Sequence, residues 1–427
     1  VHDRLSATGT RGTPRRLLVI SPWETVWSLG RENDVKAGVS DDDRFIDGFT
    51  RAGWDLHFLR PRGRRVDPRV TTHAYPNFFR ATRRLPVAAR RALWPALFHA
   101  VAAPRAISLS RALRPDVVMG HSHYATLAAW WCRRATGAPA VTKLFGVMDL
   151  VHTEWPAARY LAKNFEQLAA LRCPQDAWIV LDDGTRGGEI LRARGIPAER
   201  IHFLPNGLDL DWLERREDRA AARGRFRLPG DAPVVLFLAR LVDSKRPLDV
   251  IAAFSRVVRT QAPGAWLVMA GDGPLRAACE HAARAEGVAD RVRFAGVVPH
   301  DDVPALMAAS DLFVSTSPLT NRALPTCEAM ICGVPVAVYD TGDTSTVVRD
   351  GETGRLVKDG DIEALAASIG ALLGDAGLRG RLAAAARERA RTTFVSWDRR
   401  IAMEIEILGA LAEKNSGRPV SRPPAQS

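Results

Sequence analysis

Arg240 and Lys245 stand five residues apart in LARLVDSKRP, just past the apolar run Val234-Val-Leu-Phe-Leu238. An arginine fork and a lysine point charge at the C-terminal end of a strand suit a diphosphate. Taken alone, the pair reads first as the ordinary charge of a solvated loop between strand and helix. Ala270-Gly271-Asp272-Gly273-Pro274 follows the apolar WLVM. Its glycines permit a tight turn, and Pro274 suits the first turn of a following helix. Lacking the GxGxxG spacing, it reads as a structural turn lining a cleft. In SPLTNRALPTCEAMICGVPV, residues 317–336, a helix is predicted to open near Leu324-Pro325. Free N–H groups at such a helix start favour a phosphate. Glu328, in its first turns, can accept hydrogen bonds from sugar hydroxyls, or equally serve as a partner of the helix dipole.

Alternating strands and helices must position these groups. Leu17–Ile20, Trp54–Leu59, Asp116–Met119, Ala140–Thr142, Ala177–Leu181 and Ile201–Leu204 read as strands of a first half. Ser40-Asp41-Asp42-Asp43 opens a helix with an apolar stripe of Phe45, Ile46, Phe49 and Ala52. After the turn Pro205-Asn206-Gly207, a charged helix is expected from Asp211 to about Arg225. Strands 234–238, 266–269, 292–294, 312–314 and 336–338 then repeat the pattern. A last helix from Trp397 to about Leu411 precedes a polar tail, 415–427, expected to be disordered. This βα succession predicts an α/β protein of two doubly wound domains, with a ligand held between them at the strands' carboxyl ends.

The 427 residues carry 60 basic and 48 acidic side chains, a formal charge of +12. Thirteen arginines and one acid, Asp67, lie between Arg60 and Pro115, so this segment holds the whole excess and the rest is neutral. That excludes a histone-like chain. Five cysteines without metal or disulfide spacing fit a reducing compartment. The polar N-terminal stretch lacks the apolar core of a signal peptide. No stretch is long and apolar enough to span a bilayer. Three readings of the basic segment stand. One is nucleic-acid binding, for which no recognition motif is present. Another is an anionic membrane patch, with Arg80, Arg83, Arg84, Arg90 and Arg91 flanking Trp94, Leu97, Phe98 and Val101, in a helix that Pro95 and Pro104 would interrupt. The third is a solvated arginine rim around core residues.

Seven stretches occur in one order: PNGLD (205–209), LARLVDSK (238–245), AGDGP (270–274), RFAGVVPHDDV (293–303), ASDLFVSTS (309–317), LPTCEAMICGVPVAV (324–338) and VVRDGETGRLV (347–357). In this the second half resembles glycosyltransferase family 4, the retaining, nucleotide-sugar-dependent enzymes of the GT-B fold. DVVMGHSHYATLAAWW (116–131) extends the resemblance more loosely into the first half. The resemblance implies two Rossmann-like domains facing across a cleft. Residues 1–210 would form the acceptor side, 211–394 the donor side, and 395–414 a helix crossing back. Arg240 and Lys245 would neutralise the donor diphosphate. Glu328 would hold the ribose hydroxyls, the backbone of Gly296, Val297 and Val298 would read the base, and Leu324 would lie under the phosphates.

Departures accompany it. The family's loop carries a Glu eight residues before the second Glu, then Gly, an aromatic residue and Gly. Here those positions are Thr320, Asn321, Arg322 and Ala323. Thr320 and Asn321 can hydrogen-bond a sugar but bring no charge, which implies an altered donor preference. Where many members have His before Gly in the third-strand loop, this chain has Phe145-Gly146. Gly30 and Gly38 are candidates for the missing glycine pair near the first strand. His121 matches a position that is more often structural. The expectation is a metal-free, cofactor-independent hexosyltransferase with an unknown glycan, lipid-linked or small-molecule acceptor. It would be cytoplasmic, with a peripheral seat on the inner membrane face through Arg60–Arg114 left open. A catalytically silent nucleotide-sugar-binding partner and a sugar-nucleotide epimerase of the same fold are the alternatives.

Overall fold

Leu17, Leu18, Val19 and Ile20 are fully buried, so the first strand is covered on both faces, as a parallel strand between helix layers must be. The structure is a computed structural model that describes residues 14–23, 41–62, 67–78, 82, 84–147, 150, 152–182, 184, 186–317 and 324–416. The first sheet contains β1 (Arg15–Ile20), β2 (Trp54–Pro61), β3 (Thr71–Tyr75), β4 (Val117–His121), β5 (Ala140–Leu144), β6 (Ala177–Leu181) and β7 (Ile201–Leu204). Its order is β3-β2-β1-β4-β5-β6-β7, parallel at every pairing. The second contains β8 (Val234–Leu238), β9 (Trp266–Ala270), β10 (Val292–Gly296), β11 (Leu312–Ser315), β12 (Val336–Asp340) and β13 (Arg355–Lys358), in the order β10-β9-β8-β11-β12-β13. In each sheet the order reverses beside the first strand, at β1/β4 and at β8/β11. Those are the places where the strand ends of a doubly wound sheet leave a crevice.

Alternate residues of β1 feed two cores. Leu17 and Val19 join Phe45 and Phe49 of the helix Asp41–Arg51 and Ile401, Leu408 and Ala412 of the terminal helix Trp397–Ser416. Leu18 and Ile20 join Trp94, Phe98, Ala102 and Ala106 of the helix Val87–Leu113. The terminal helix therefore packs on the first sheet, although its chain arrives from the second. Lys143 on β5 and Arg400 on that helix, both fully buried, share Glu404 at 3.0 and 3.2 Å. Arg15 also reaches its Glu413.

The chain passes between the two halves twice, and the two passages run side by side. Leu208 N–H donates to Val395 O at 3.0 Å, and Trp397 N–H to Leu208 O at 3.3 Å. A Cβ on Gly207 would lie 2.5 Å from the Trp397 ring, which is why a glycine ends the Pro205-Asn206-Gly207 turn. Arg44 and Arg186 from the first half reach Asp209 (2.6 Å) and Asp343 (2.9 Å).

Several expectations need correction. Pro95 and Pro104 do not interrupt the basic segment's helix, which runs unbroken from Val87 to Leu113. Each proline removes one backbone donor, but Trp94, Phe98, Ala102 and Ala106 fix the helix against the sheet. Trp94 and Phe98 of its apolar stripe are buried in the core with Val101 packed beside them, while Leu97 is half-buried and the neighbouring Leu93 is 46% exposed. The charged helix from Asp211 is instead a 3-10 turn, Leu210–Leu213, followed by a helix, Arg219–Arg225. Asp218 sets that start by accepting from Ala220 and Ala221 N–H at 2.8 and 3.2 Å. Pro274 precedes its helix, Arg276–Ala285, by two residues. The terminal helix extends through Ser416, taking in the first two residues of the expected tail; residues 417–427 lie outside the described ones.

Candidate active site

Arg240 is positioned by backbone on both sides. Ala239 N–H donates to Ala270 O (3.0 Å), Leu241 N–H to Asp272 O (3.1 Å), and Leu275 N–H to Leu241 O (3.0 Å). The loops after β8 and β9 are thus laced together. A Cβ on Gly271 would sit 1.9 Å from Ala239 O, and one on Gly273 2.4 Å from Leu241 O. Gly271 also has φ +122°, where L residues are strained. The Gly-Asp-Gly stretch is therefore a cradle for the Arg240 loop, more specific than a turn lining the cleft. Gly271 N–H continues the lacing to Gly296 O at 2.6 Å.

Lys245 ends a 3-10 turn, Asp243–Lys245, held by the β11 end. Thr316 Oγ1 donates to the carbonyls of Lys245 and Arg246, each at 2.9 Å, and Lys245 Nζ donates to Ser317 Oγ at 2.9 Å. Burial, and then the charge of Arg240, push the Lys245 ammonium below its ordinary value. The fold thus brings the two cations into mutual repulsion, a cost that a bound polyanion would remove.

Glu328 lies in the helix Leu324–Ile331, among buried neighbours. Burial pushes its carboxyl up to about 7; His300 opposes the shift and Asp209 adds to it. His300 opens a 3-10 turn after β10 and donates from Nε2 to Asp209 Oδ2 at 2.9 Å. Its ring lies 4.8 Å from that of Trp212. Burial works against its charge, yet the Asp209 hydrogen bond and the charge of Glu328 hold it above the usual histidine value. Gly296 turns the end of β10 with φ +69°, and the following Val297 is 38% exposed. Leu324 begins the Glu328 helix, while Thr320, Asn321, Arg322 and Ala323 lie outside the described residues.

On the first domain, Gly30 and Gly38 also lie outside the described residues. His121 ends β4 with 1% exposure, its ring meeting those of Phe45, Phe58 and Phe145 edge-on. Phe145 and Gly146 are half-buried at the end of β5, and Gly146 has φ +110°. Burial lowers His123 to about 4. Among the described residues no group of three or more His, Cys, Asp or Glu side chains is placed to hold a metal ion. Sequence reasoning missed His300, Asp209 and Ser317 as members of the site. All three lie inside the quoted stretches, but only the fold shows that they meet Glu328 and Lys245.

Two family models match the two halves: Glycosyltransferase Family 4 over residues 43–212 and Glycosyl transferases group 1 over residues 218–389. A 2-deoxystreptamine N-acetyl-D-glucosaminyltransferase of Streptomyces fradiae is 31% identical, over 65% of this chain and 67% of its own length. The chain belongs to the family 4 glycosyltransferases. This glycosyltransferase is also 31% identical to a D-inositol 3-phosphate glycosyltransferase of Salinispora tropica, over 69% of the chain but 64% of that relative's length. The crystal structure of Anabaena HepE in complex with UDP and glucose superposes with a TM-score of 0.68 at 18% identity, covering 93% of this chain and 100% of its own. The fold of the glycosyltransferase is GT-B.

Proposed function

We propose that the chain is a retaining glycosyltransferase that moves a hexose from a nucleotide-diphosphate donor to an acceptor hydroxyl without a metal. The observation that carries this reading is the convergence of Arg240 and Lys245 on laced loops at the β8/β11 switch point. As the glycosidic bond to the donor phosphate breaks, negative charge collects on the diphosphate and positive charge on the anomeric carbon. Two fixed cations, with the N–H groups at the start of the helix Leu324–Ile331, favour that separation. The departing phosphate then takes the proton of the acceptor hydroxyl. Glu328 accepts from the ribose hydroxyls, and Gly296, Val297 and Val298 present backbone to the base. In sequence, Thr320 stands where the family pattern has a carboxylate, with Asn321 beside it, neutral residues that suit an altered donor preference.

Both relatives described above are named for cyclitol acceptors, one a phosphate and one an amine. The excess arginine of the first domain favours the anionic class. With Trp94 and Phe98 in the core, that segment offers a docking surface mainly its charge, beside the exposed Leu85 and Leu93. The test is a panel of nucleotide-sugars with inositol phosphates as acceptors, in EDTA, following nucleoside diphosphate release and the anomeric configuration of the product by NMR. Release with retained configuration supports the reading. Binding without turnover across the panel identifies a silent partner, and interconversion of donors identifies an epimerase.

A further inference from the structure

Asp209 stands where three parts of the molecule meet. It lies in the passage between the sheets, accepts from Arg44 Nη2 of the first domain at 2.6 Å, and pairs with His300 Nε2 of the second at 2.9 Å. His300 is 16% exposed in its side chain and rests on Trp212, so its ring has little freedom to turn away. It is hydrogen-bonded to Asp209 and acted on by the charge of Glu328, with Asp301 next to it in the chain. Glu328 in turn feels the charges of His300 and Asp209; Cys332 directly follows its helix and donates its N–H to Glu328 O at 2.9 Å, with the charges of Arg215, Glu217 and Arg387 acting on that thiol. Among the described residues, His300 is the cation whose charge acts on the Glu328 carboxyl, and Asp209 orients it.

We propose that His300 is a positioning residue for donor binding: fixed by Asp209, it keeps positive charge beside Glu328, so that this carboxylate is charged when a nucleotide ribose arrives. The proposal rests on the ribose-binding role of Glu328 set out above. A carboxylate accepts from two hydroxyls at once, whereas the protonated acid must spend one oxygen on its own hydrogen. Burial alone would leave Glu328 protonated near neutral pH. Arg44 binds the far oxygen of Asp209, so seating the first domain stiffens the same chain of contacts.

The test is titration calorimetry of the full chain with UDP, GDP and inorganic pyrophosphate at pH 6, 7 and 9. Pyrophosphate has no ribose and reports on Arg240 and Lys245 alone. For His300→Gln, nucleoside diphosphate affinity is expected to fall about fivefold at pH 7, the effect of raising Glu328 by one pKa unit, and to converge with wild type at pH 9. Pyrophosphate affinity stays unchanged throughout. His300→Lys restores binding at pH 7, and Arg44→Ala reproduces a smaller part of the loss. Equal nucleotide affinity of His300→Gln and wild type at every pH overturns the proposal. So does a loss that is the same at pH 7 and 9 and shared by pyrophosphate, which marks a merely structural role. Wild-type protein that binds pyrophosphate but neither nucleotide removes the ribose reading itself, and this inference with it.

Discussion

Glu328 faces opposed demands in folding and in binding. Its carboxyl is held up to about 7 against a usual 4.5, so between those values the folded protein binds a proton that the unfolded chain releases. Folding stability therefore falls as pH rises through this window and stays reduced above it. Glu328→Gln removes the penalty. Calorimetric melting at pH 8 should show the variant more stable than wild type by about 3 kcal/mol, with the two coinciding near pH 4.5. The same variant should lose nucleotide affinity, which in wild type rises with pH as the carboxylate forms. Lys245 gives a second residue-scale prediction. Ser317 Oγ accepts from its ammonium, and Ser317→Ala should weaken pyrophosphate binding by roughly 1 kcal/mol, about fivefold, in titration calorimetry. Arg240, Lys245 and Glu328 were legible as residues because their types and places in the strand–helix order fit a diphosphate and a ribose. Their partners were not, since a serine, an aspartate and a histidine from three other segments carry no local pattern.

Among the elements, the loops after β8 and β9 act as one unit. The strands themselves were readable from their apolar runs, because a parallel strand buried on both faces leaves such a run. The lacing between their loops was not readable, because it is made of backbone. Gly271→Ala tests it: the new Cβ would fall 1.9 Å from Ala239 O at a φ of +122°, so the Arg240 loop must move. A loss of about 2–3 kcal/mol in stability is expected from strain and the broken hydrogen bonds, measured by chemical denaturation. Pyrophosphate binding should fall with it. The two errors of element reading have physical causes. Prolines were given more authority than the packing of Trp94 and Phe98, and the acids after Asp211 were read as one helix although Asp218 caps a separate one.

At the scale of the molecule, the terminal helix joins the second domain's chain to the first domain's sheet. Its apolar spacing predicted a helix, and resemblance alone predicted where it goes. Beside the apolar contacts of Ile401, Leu408 and Ala412, the buried trio of Lys143, Glu404 and Arg400 ties it there, invisible in a sequence where Lys143 and Glu404 lie 261 positions apart. Glu404→Gln leaves two buried cations facing a neutral group and should destabilise by about 3–5 kcal/mol in thermal melting. The net charge of +12 belongs to a different region from the candidate chemistry: Arg240 and Lys245 lie in the part of the chain that sums to zero.

The central claim is that these two cations carry the leaving diphosphate. It is tested most directly by the rate of nucleoside diphosphate release from the preferred donor, compared between wild type and Arg240→Ala at saturating acceptor. Removing a charge-assisted contact to a developing anion should lower kcat by at least about a hundredfold, with the fold unchanged by circular dichroism. Release at the wild-type rate in Arg240→Ala would contradict the account.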